Sequence, residues 1–362
     1  MEAASSPGLS PTATSTHSKL RLPATCEPPG EQNPPKQAVW VIFGATGHIG
    51  RSLVRAALSH NDKVVAVGWT AENTLPNSSS SSSNPHSPHL LNLLCDVRLP
   101  ATISAVYQRT LSTFGRIDII ANCAGYGIIS AIEDQTEADI RNQFETNFWG
   151  TFHITSLSLP IFRAQEAGGR YLIFSSTAGA LGVPGLGPYC ATKYAVEGLI
   201  ESLLYEVDCY NIKATLVEPG HVRLDEPDDT SSAGGGAGFG GEVRPKRYGH
   251  FFVKPASKIY AGETAPAGHA RRLVRWLNDR QPTSAVKSAE LVWQLGHCSF
   301  PPLRLLLGSY AVESIRDRLR SIIEEIEDWK HLSFPIADEE DVPDVLEPLG
   351  LMRDEADEAP GT

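Results

Sequence analysis

The order of apolar and polar positions changes abruptly at Gln37. Residues 1–36 are rich in Pro, Ser and Thr, show no periodicity, and are expected to be disordered. From Ala38, six consecutive apolar residues run into a glycine-rich turn, "AVWVIFGATGHIG". Further short apolar runs follow: "KVVAVG", "LLNLLCDV", "RIDIIANCAG", "RYLIFSS" and "IKATLVEPG". Most are flat rather than alternating, which is the pattern of strands buried on both faces. Helical patterns lie between them. Ile49–Ser59, Leu99–Phe114 and Tyr189–Cys209 each read as one helix. Ile132–Ala167 is long enough for two, either broken at Pro160 or joined end to end near Asn147. Strand and helix in alternation predict an α/β protein with a parallel sheet covered on both faces.

After Leu224 the pattern changes. "EPDDTSSAGGGAGFGGEVRP" cannot pack a core, and 226–250 is expected to be a flexible substrate loop. "APAGHARRLVRWLNDR" and "SAVKSAELVWQLGH" predict two helices, "LRLLLG" an edge strand, and Tyr310–Trp329 a charged amphipathic helix. The expected organisation is a single domain over 37–335, with its C-terminal part, 251–335, supplying substrate-side helices. An acidic disordered tail, 336–362, follows.

Bulk properties narrow the function classes. The net charge is −11, but ten acids against one base fall between Ala337 and Thr362, so the acidity belongs to the tail. No basic face suggests nucleic acid as a partner. No apolar run reaches the roughly 18 residues of a membrane helix. The N-terminus lacks the apolar centre of a signal peptide, although Lys19 and Arg21 leave room for a weak transit peptide. Six scattered cysteines fit a reduced, cytoplasmic compartment, and none has paired metal-type spacing. No metal site is expected.

The candidate chemistry gathers at the ends of the predicted strands. Gly44, Gly47 and Gly50 in "FGATGHIG" join the first strand to the first helix, a place where glycine lets the chain turn and approach a pyrophosphate. Asp96 in "CDV", "NCAG" (Asn122–Gly125), "FSS" (Phe174–Ser176) and "EPG" (Glu218–Gly220) close later strands. Open α/β sheets bind ligands along that edge. Tyr189 and Lys193 in "GPYCATKYAVEG" stand four residues apart, on one helical face, where a cation favours a phenolate.

In this combination the chain resembles the classical short-chain dehydrogenases/reductases over roughly residues 38–224. It is similar to the branch with many fungal oxidoreductases. The resemblance rests on the glycine turn, Asp96, "NCAG", Asn147 in "TNFWG", Ser176, the Tyr189/Lys193 pair and "EPG". It implies a Rossmann-type doubly wound sheet with a helical C-terminal extension and an NAD(P)-dependent alcohol–ketone oxidoreductase acting on an apolar small molecule. By the same resemblance, Tyr189 is the acid/base, Lys193 tunes it and binds ribose, and Ser176 orients the carbonyl. Asn147 holds a water. Cofactor contacts are implied for Gly44, Gly47, His48, Ile49, Gly50, Trp69, Asp96, Asn122, Ala124, Gly125, Tyr189, Lys193, Pro219, Gly220 and Val222. A homo-dimer or homo-tetramer is implied as well.

Several positions depart from the family pattern. Phe43 replaces a threonine, and the middle glycine is one place early, at Gly47, leaving His48 in its usual position. His48 reads as a solvent-facing loop residue, a phosphate contact or a residue that weakens binding. Trp69, where an acid or arginine often selects the cofactor, reads as an adenine-stacking side chain or as cover for the sheet. The missing acid, with Arg51 and Arg55 on the next helix, leans toward NADP over NAD. Leu224 replaces a threonine after "EPG". The alternatives are a non-catalytic NAD(P)-binding regulator, favoured by the altered turn, and an extended-type epimerase or dehydratase.

Overall fold

The run after Gln37 forms β1 (Val39–Phe43), and none of its five side chains is more than 1% exposed. Each such side chain contributes about 2 kcal/mol of burial. In the computed structural model, residues 20–69, 88–223, 246–262, 264–269, 272 and 283–332 are described. The other predicted strands form as β2 (Lys63–Gly68), β3 (Leu90–Leu94), β4 (Ile119–Asn122), β6 (Gly169–Phe174), β7 (Ile212–Pro219) and β12 (Arg304–Leu307). All pair parallel in one seven-stranded sheet of order β12-β7-β6-β4-β1-β2-β3. β3 is an edge strand and only partly buried, so its flat apolar run does not mark a doubly covered strand.

The helices are α1 (His48–Ser59), α2 (Pro100–Phe114), α3 (Glu137–Phe144), α4 (Gly150–Arg163), α5 (Gly187–Val207), α6 (Ala285–His297) and α7 (Ser309–Trp329). One apolar cluster joins α1 and α6 to one face of the sheet, and a second joins α2, α4 and α5 to the other. Strand order reverses at β1 and β4, because the chain moves outward through β2 and β3 and returns to the far side of β1. That switch point is the crevice where such sheets bind ligands. Three small strands, β5 (Gly127–Ile129), β9 (Lys246–Tyr248) and β10 (Phe251–Val253), make a second sheet beyond the carboxyl end of β4. β8 (Val222–Arg223) pairs with β11 (Thr283–Ser284).

Three expectations change. The long segment 132–167 does not break at Pro160, which lies inside α4; the joint is a π-turn, Glu145–Trp149, that carries Asn147. Residues 20–36 are not loose. Leu22 and Cys26 are buried in the α1/α6 cluster, and the Leu22 amide donates to Gln294 Oε1 at 3.1 Å. Two apolar residues in a proline-rich stretch anchor it, together with bonds such as Asn33 to the His297 carbonyl, and composition conceals them. Helix α6, read from the sequence as one of the substrate-side helices, lies against α1. Its side chains pack on α1, and its end meets the amino edge of the sheet. There Asp62 Oδ2 accepts from Trp40 and Trp293, each at 2.9 Å, and pairs with His297 Nε2 at 2.8 Å. Burial works against the Asp62 charge, but the bonds from His297, Ala38 and Trp293 outweigh it and hold the carboxyl below its ordinary value.

Residues 1–19, the glycine run 224–245, most of the helix expected near residues 265–280, and the acidic tail fall outside the described residues. Contacts divide the chain after Ile315. Beyond it, α7 exposes Leu319, Ile323, Ile326 and Trp329. Among the described residues, no helix is long and apolar enough to cross a membrane, and no group of His, Cys, Asp and Glu could hold a metal ion.

Candidate active site

The phosphate turn follows β1. Gly44 has φ +72°, and a Cβ there would lie 2.6 Å from the Ala124 nitrogen on the neighbouring strand end. A Cβ on Gly50 would collide with the Gly44 carbonyl. Gly47 differs: its backbone is extended (φ −72°, ψ 160°), and its Cβ would meet only that carbonyl at 3.4 Å. The turn therefore requires the first and third glycines and tolerates a shifted middle one. His48 opens α1 with its ring near Gly249, not out in solvent. Ile49 turns its side chain into the core, leaving its backbone at the helix N-terminus. A cradle closed to a Cβ, beside the first amides of a helix, fits a dinucleotide pyrophosphate.

Trp69 is 69% exposed just past β2, and the Arg98 guanidinium lies 5.6 Å over its ring. Arg98 also grips Asp96 through Nε at 2.9 Å and Nη2 at 2.6 Å, which holds that carboxyl below its ordinary value. Trp69 therefore does not cover the sheet; it forms one side of an exposed Trp–Arg–Asp cluster. Arg98, two residues after Asp96, was not singled out from the sequence.

Asn122 and Asn147 are structural braces. Asn122 donates to Thr151 Oγ1 at 2.9 Å and accepts from the Ala124 amide at 3.1 Å. Its carboxamide thus shapes the "NCAG" turn that carries Ala124 and Gly125. Asn147 accepts from the Tyr126 amide at 3.0 Å and donates to the Tyr126 carbonyl at 2.8 Å and Thr192 Oγ1 at 3.0 Å. The π-turn thereby ties α3 and α4 to α5. Pro219 ends β7, the Gly220 amide donates to the Leu307 carbonyl at 3.0 Å, and Val222 begins β8. Next to them His221, which the sequence reading missed, is pushed down to about 4 by burial and is neutral at pH 7.

Tyr189, Lys193 and Ser176 meet at the carboxyl ends of β6 and β4. Tyr189 is 2% exposed on the first turn of α5. Burial pushes its phenol well above its ordinary value, while a hydrogen bond with Ser176 pulls it back. Lys193, one turn on, is also buried; its Nζ lies 5.7 Å from the Tyr189 ring centroid and donates to the Phe174 carbonyl at 2.8 Å. Burial lowers the Lys193 ammonium to about 8, and the Glu197 carboxylate opposes that shift. The lysine thus sits beside the phenol with its proton partly loosened.

Two further features escape a linear reading. Behind Lys193, Ser175 Oγ donates to Glu197 Oε1 at 2.6 Å, and Arg304 on β12 lies 3.6 Å from Glu197 and 3.2 Å from Glu218. Burial, with the Glu197 charge, pushes Glu218 up to about 8. Glu197 follows Lys193 by four residues, so helical spacing could have found it. In front of Tyr189, His250 Nε2 lies 3.2 Å from the phenol oxygen. Sixty-one residues separate the two, and no local signal links them.

A family model described as short chain dehydrogenase matches residues 38–231. An uncharacterized oxidoreductase of Schizosaccharomyces pombe is 29% identical over 85% of this chain and 95% of its own length. Oxidoreductase BOA17 of Botryotinia fuckeliana is 28% identical over 83% of this chain and 99% of its own. Among solved structures, a short-chain dehydrogenase from Streptomyces avermitilis superposes with a TM-score of 0.68 at 28% identity, covering 82% of this chain and 98% of that one. A Burkholderia phymatum family member in complex with NAD shares the fold at TM-score 0.60 and 21% identity, over 83% and 98% of the two chains. With its parallel sheet, its glycine-lined switch point and more than half its length matched, the chain belongs to the short-chain dehydrogenase/reductase family of NAD(P)-dependent oxidoreductases.

Proposed function

We propose that this enzyme interconverts a secondary alcohol and a ketone on an apolar small molecule. The observation that carries this reading is the meeting of Tyr189, Ser176 and Lys193 at the sheet edge beside the Gly44–Gly50 turn. A dinucleotide held by the Gly44–Gly50 turn and Lys193 would supply or accept the hydride. In reduction, Tyr189 gives its proton to the carbonyl oxygen while the Ser176 hydroxyl donates to that oxygen as charge develops on it. Lys193 stabilises the phenolate that remains and holds ribose; Asn147 keeps the π-turn against Tyr126 and α5, and a water on that turn connects Lys193 with solvent. Ile129, Leu186, Phe251 and the partly buried Val183 and Val253 form an apolar cluster around Tyr189 that suits a bulky apolar substrate.

The cofactor reading is a mild preference for NADP(H). Arg98 stands at the adenine end and Arg51 donates to the Thr46 carbonyl within the phosphate turn, while no acid closes β2. A cytoplasmic location and assembly into a homo-dimer or tetramer belong to the same reading, as do a flexible substrate loop over 226–250 and disordered extremities. The regulator alternative loses its main support, because the glycines the turn needs sterically, Gly44 and Gly50, are both present.

The test is a panel of apolar ketones and alcohols assayed with both cofactors at low and high salt. Wild type is expected to turn over at least one ketone, with kcat/KM about tenfold higher for NADPH at low salt. Tyr189→Phe is expected to abolish turnover while cofactor affinity stays within about twofold, since only the proton-transferring oxygen is lost. Full activity in that variant would refute the assignment of Tyr189.

A further inference from the structure

We propose that His250 is a further catalytic residue, which passes the proton to and from the Tyr189 oxygen. This rests on the reading of Tyr189 as the acid/base. The sequence reading assigned His250 only to a flexible loop. In the structure it occupies a tight turn between β9 and β10, after Gly249 at φ +55°. That turn is held in place. β10 pairs parallel with β5 from Phe251–Gly127 to Val253–Ile129, and the Gly127 amide donates to the His250 carbonyl at 3.2 Å. The two ribbons meet closely: a Cβ on Gly127 would lie 2.7 Å from Tyr189 Cδ2 and 2.8 Å from Phe251 Cε1. At the far end of β10, Lys254 pairs with Asp139 of α3 at 2.5 Å. The His250 ring packs against Phe251, centroids 4.0 Å apart, and its Nε2 is aimed at the Tyr189 hydroxyl at 3.2 Å.

A phenol oxygen has one proton to give and two lone pairs. Accepting from His250 Nε2–H therefore leaves the Tyr189 proton available for a substrate carbonyl. In reduction, the carbonyl carbon gains its hydrogen with two electrons from the reduced dinucleotide. The carbonyl oxygen takes the Tyr189 proton, and the phenolate takes the proton from His250 Nε2. In that step the ring enters as an imidazolium and is left neutral with its remaining proton on Nδ1; a solvent proton then returns to Nε2. Oxidation runs the same steps backward. Each ketone reduced consumes one hydride from the dinucleotide and one proton from solvent, and no further reactant is needed.

Two measurements on the full-length protein decide it. His250→Ala is expected to lower kcat about 100-fold, with the KM for the dinucleotide within about twofold of wild type. Free imidazole should restore much of that rate, whereas His250→Gln, which keeps a hydrogen bond but moves no proton, should stay slow even with imidazole. Independently of turnover, 15N-edited spectra of the His250 ring nitrogens should shift between wild type and Tyr189→Phe. Unchanged kcat in His250→Ala, a loss that imidazole does not repair, or ring signals indifferent to Tyr189→Phe each overturn the proposal and leave the parent reading intact. A wild type inactive on every carbonyl and alcohol sinks both.

Discussion

Lys193 shows how a single side chain is set by opposing forces. Burial lowers its ammonium to about 8, and the Glu197 carboxylate pulls the other way. If the charged form stabilises the phenolate, the active state exists below pH about 8 and is lost as pH rises through that value. Reduction is therefore expected to show a falling limb in kcat/KM near pH 8. Glu197→Gln removes the anion but keeps an acceptor for Ser175 Oγ, so the limb should move to lower pH with little change in Tm. A pH–rate profile of the two proteins checks this; a limb that stays in place shows that Lys193 does not set it. The sequence placed Tyr189 and Lys193 on one helical face, and the family resemblance added Ser176. It could not show that burial pushes the phenol upward, because burial is a property of what surrounds the helix.

At the scale of elements, the turn between β1 and α1 separates a motif from its physical requirement. Gly44 and Gly50 are fixed by contacts with backbone atoms that cannot move aside, and Gly47 is not. Gly50→Ala is expected to lower the unfolding midpoint by several degrees, corresponding to about 1–3 kcal/mol of overpacking, and to abolish cofactor binding. Gly47→Ala keeps an allowed backbone and should cost about 0.5–1 kcal/mol at the helix N-cap, with cofactor binding retained. Thermal unfolding with a cofactor fluorescence titration compares them, and equal damage from both would show that the middle glycine matters to the ligand itself. The π-turn at Glu145–Trp149 carries the same lesson in reverse. A joint near Asn147 was visible as one of two options, but its pattern of bonds to Tyr126 and Thr192 depends on elements far apart in the chain.

For the whole molecule, the sheet packs α1 and α6 on one face and α2, α4 and α5 on the other. On the second layer, Phe152 and Trp149 at the start of α4, and Tyr194 and Tyr205 on α5, remain between 37% and 82% exposed. Large aromatics left in water on neighbouring helices suit self-association, since each contributes a large apolar area when covered. A homo-dimer through this layer is expected. Phe152→Glu combined with Tyr194→Glu should yield a monomer in sedimentation equilibrium with native circular dichroism. An unchanged mass would place the interface elsewhere.

The sequence by itself determined the sheet, because short flat apolar runs alternating with amphipathic helices have few other ways to bury their surface. It also determined the glycine cradle and the Tyr189–Lys193 face, since turns and i,i+4 faces are local geometry. Only the tertiary structure decided which remote groups reach them. His250 arrives at Tyr189 because β10 pairs with β5, and Arg304 arrives at Glu197 and Glu218 because β12 adds to β7. Leu22 and Cys26 are likewise claimed by a gap that exists only once α6 has docked. Strand pairing and docking join positions tens to hundreds of residues apart, and no periodicity within one segment records its partner.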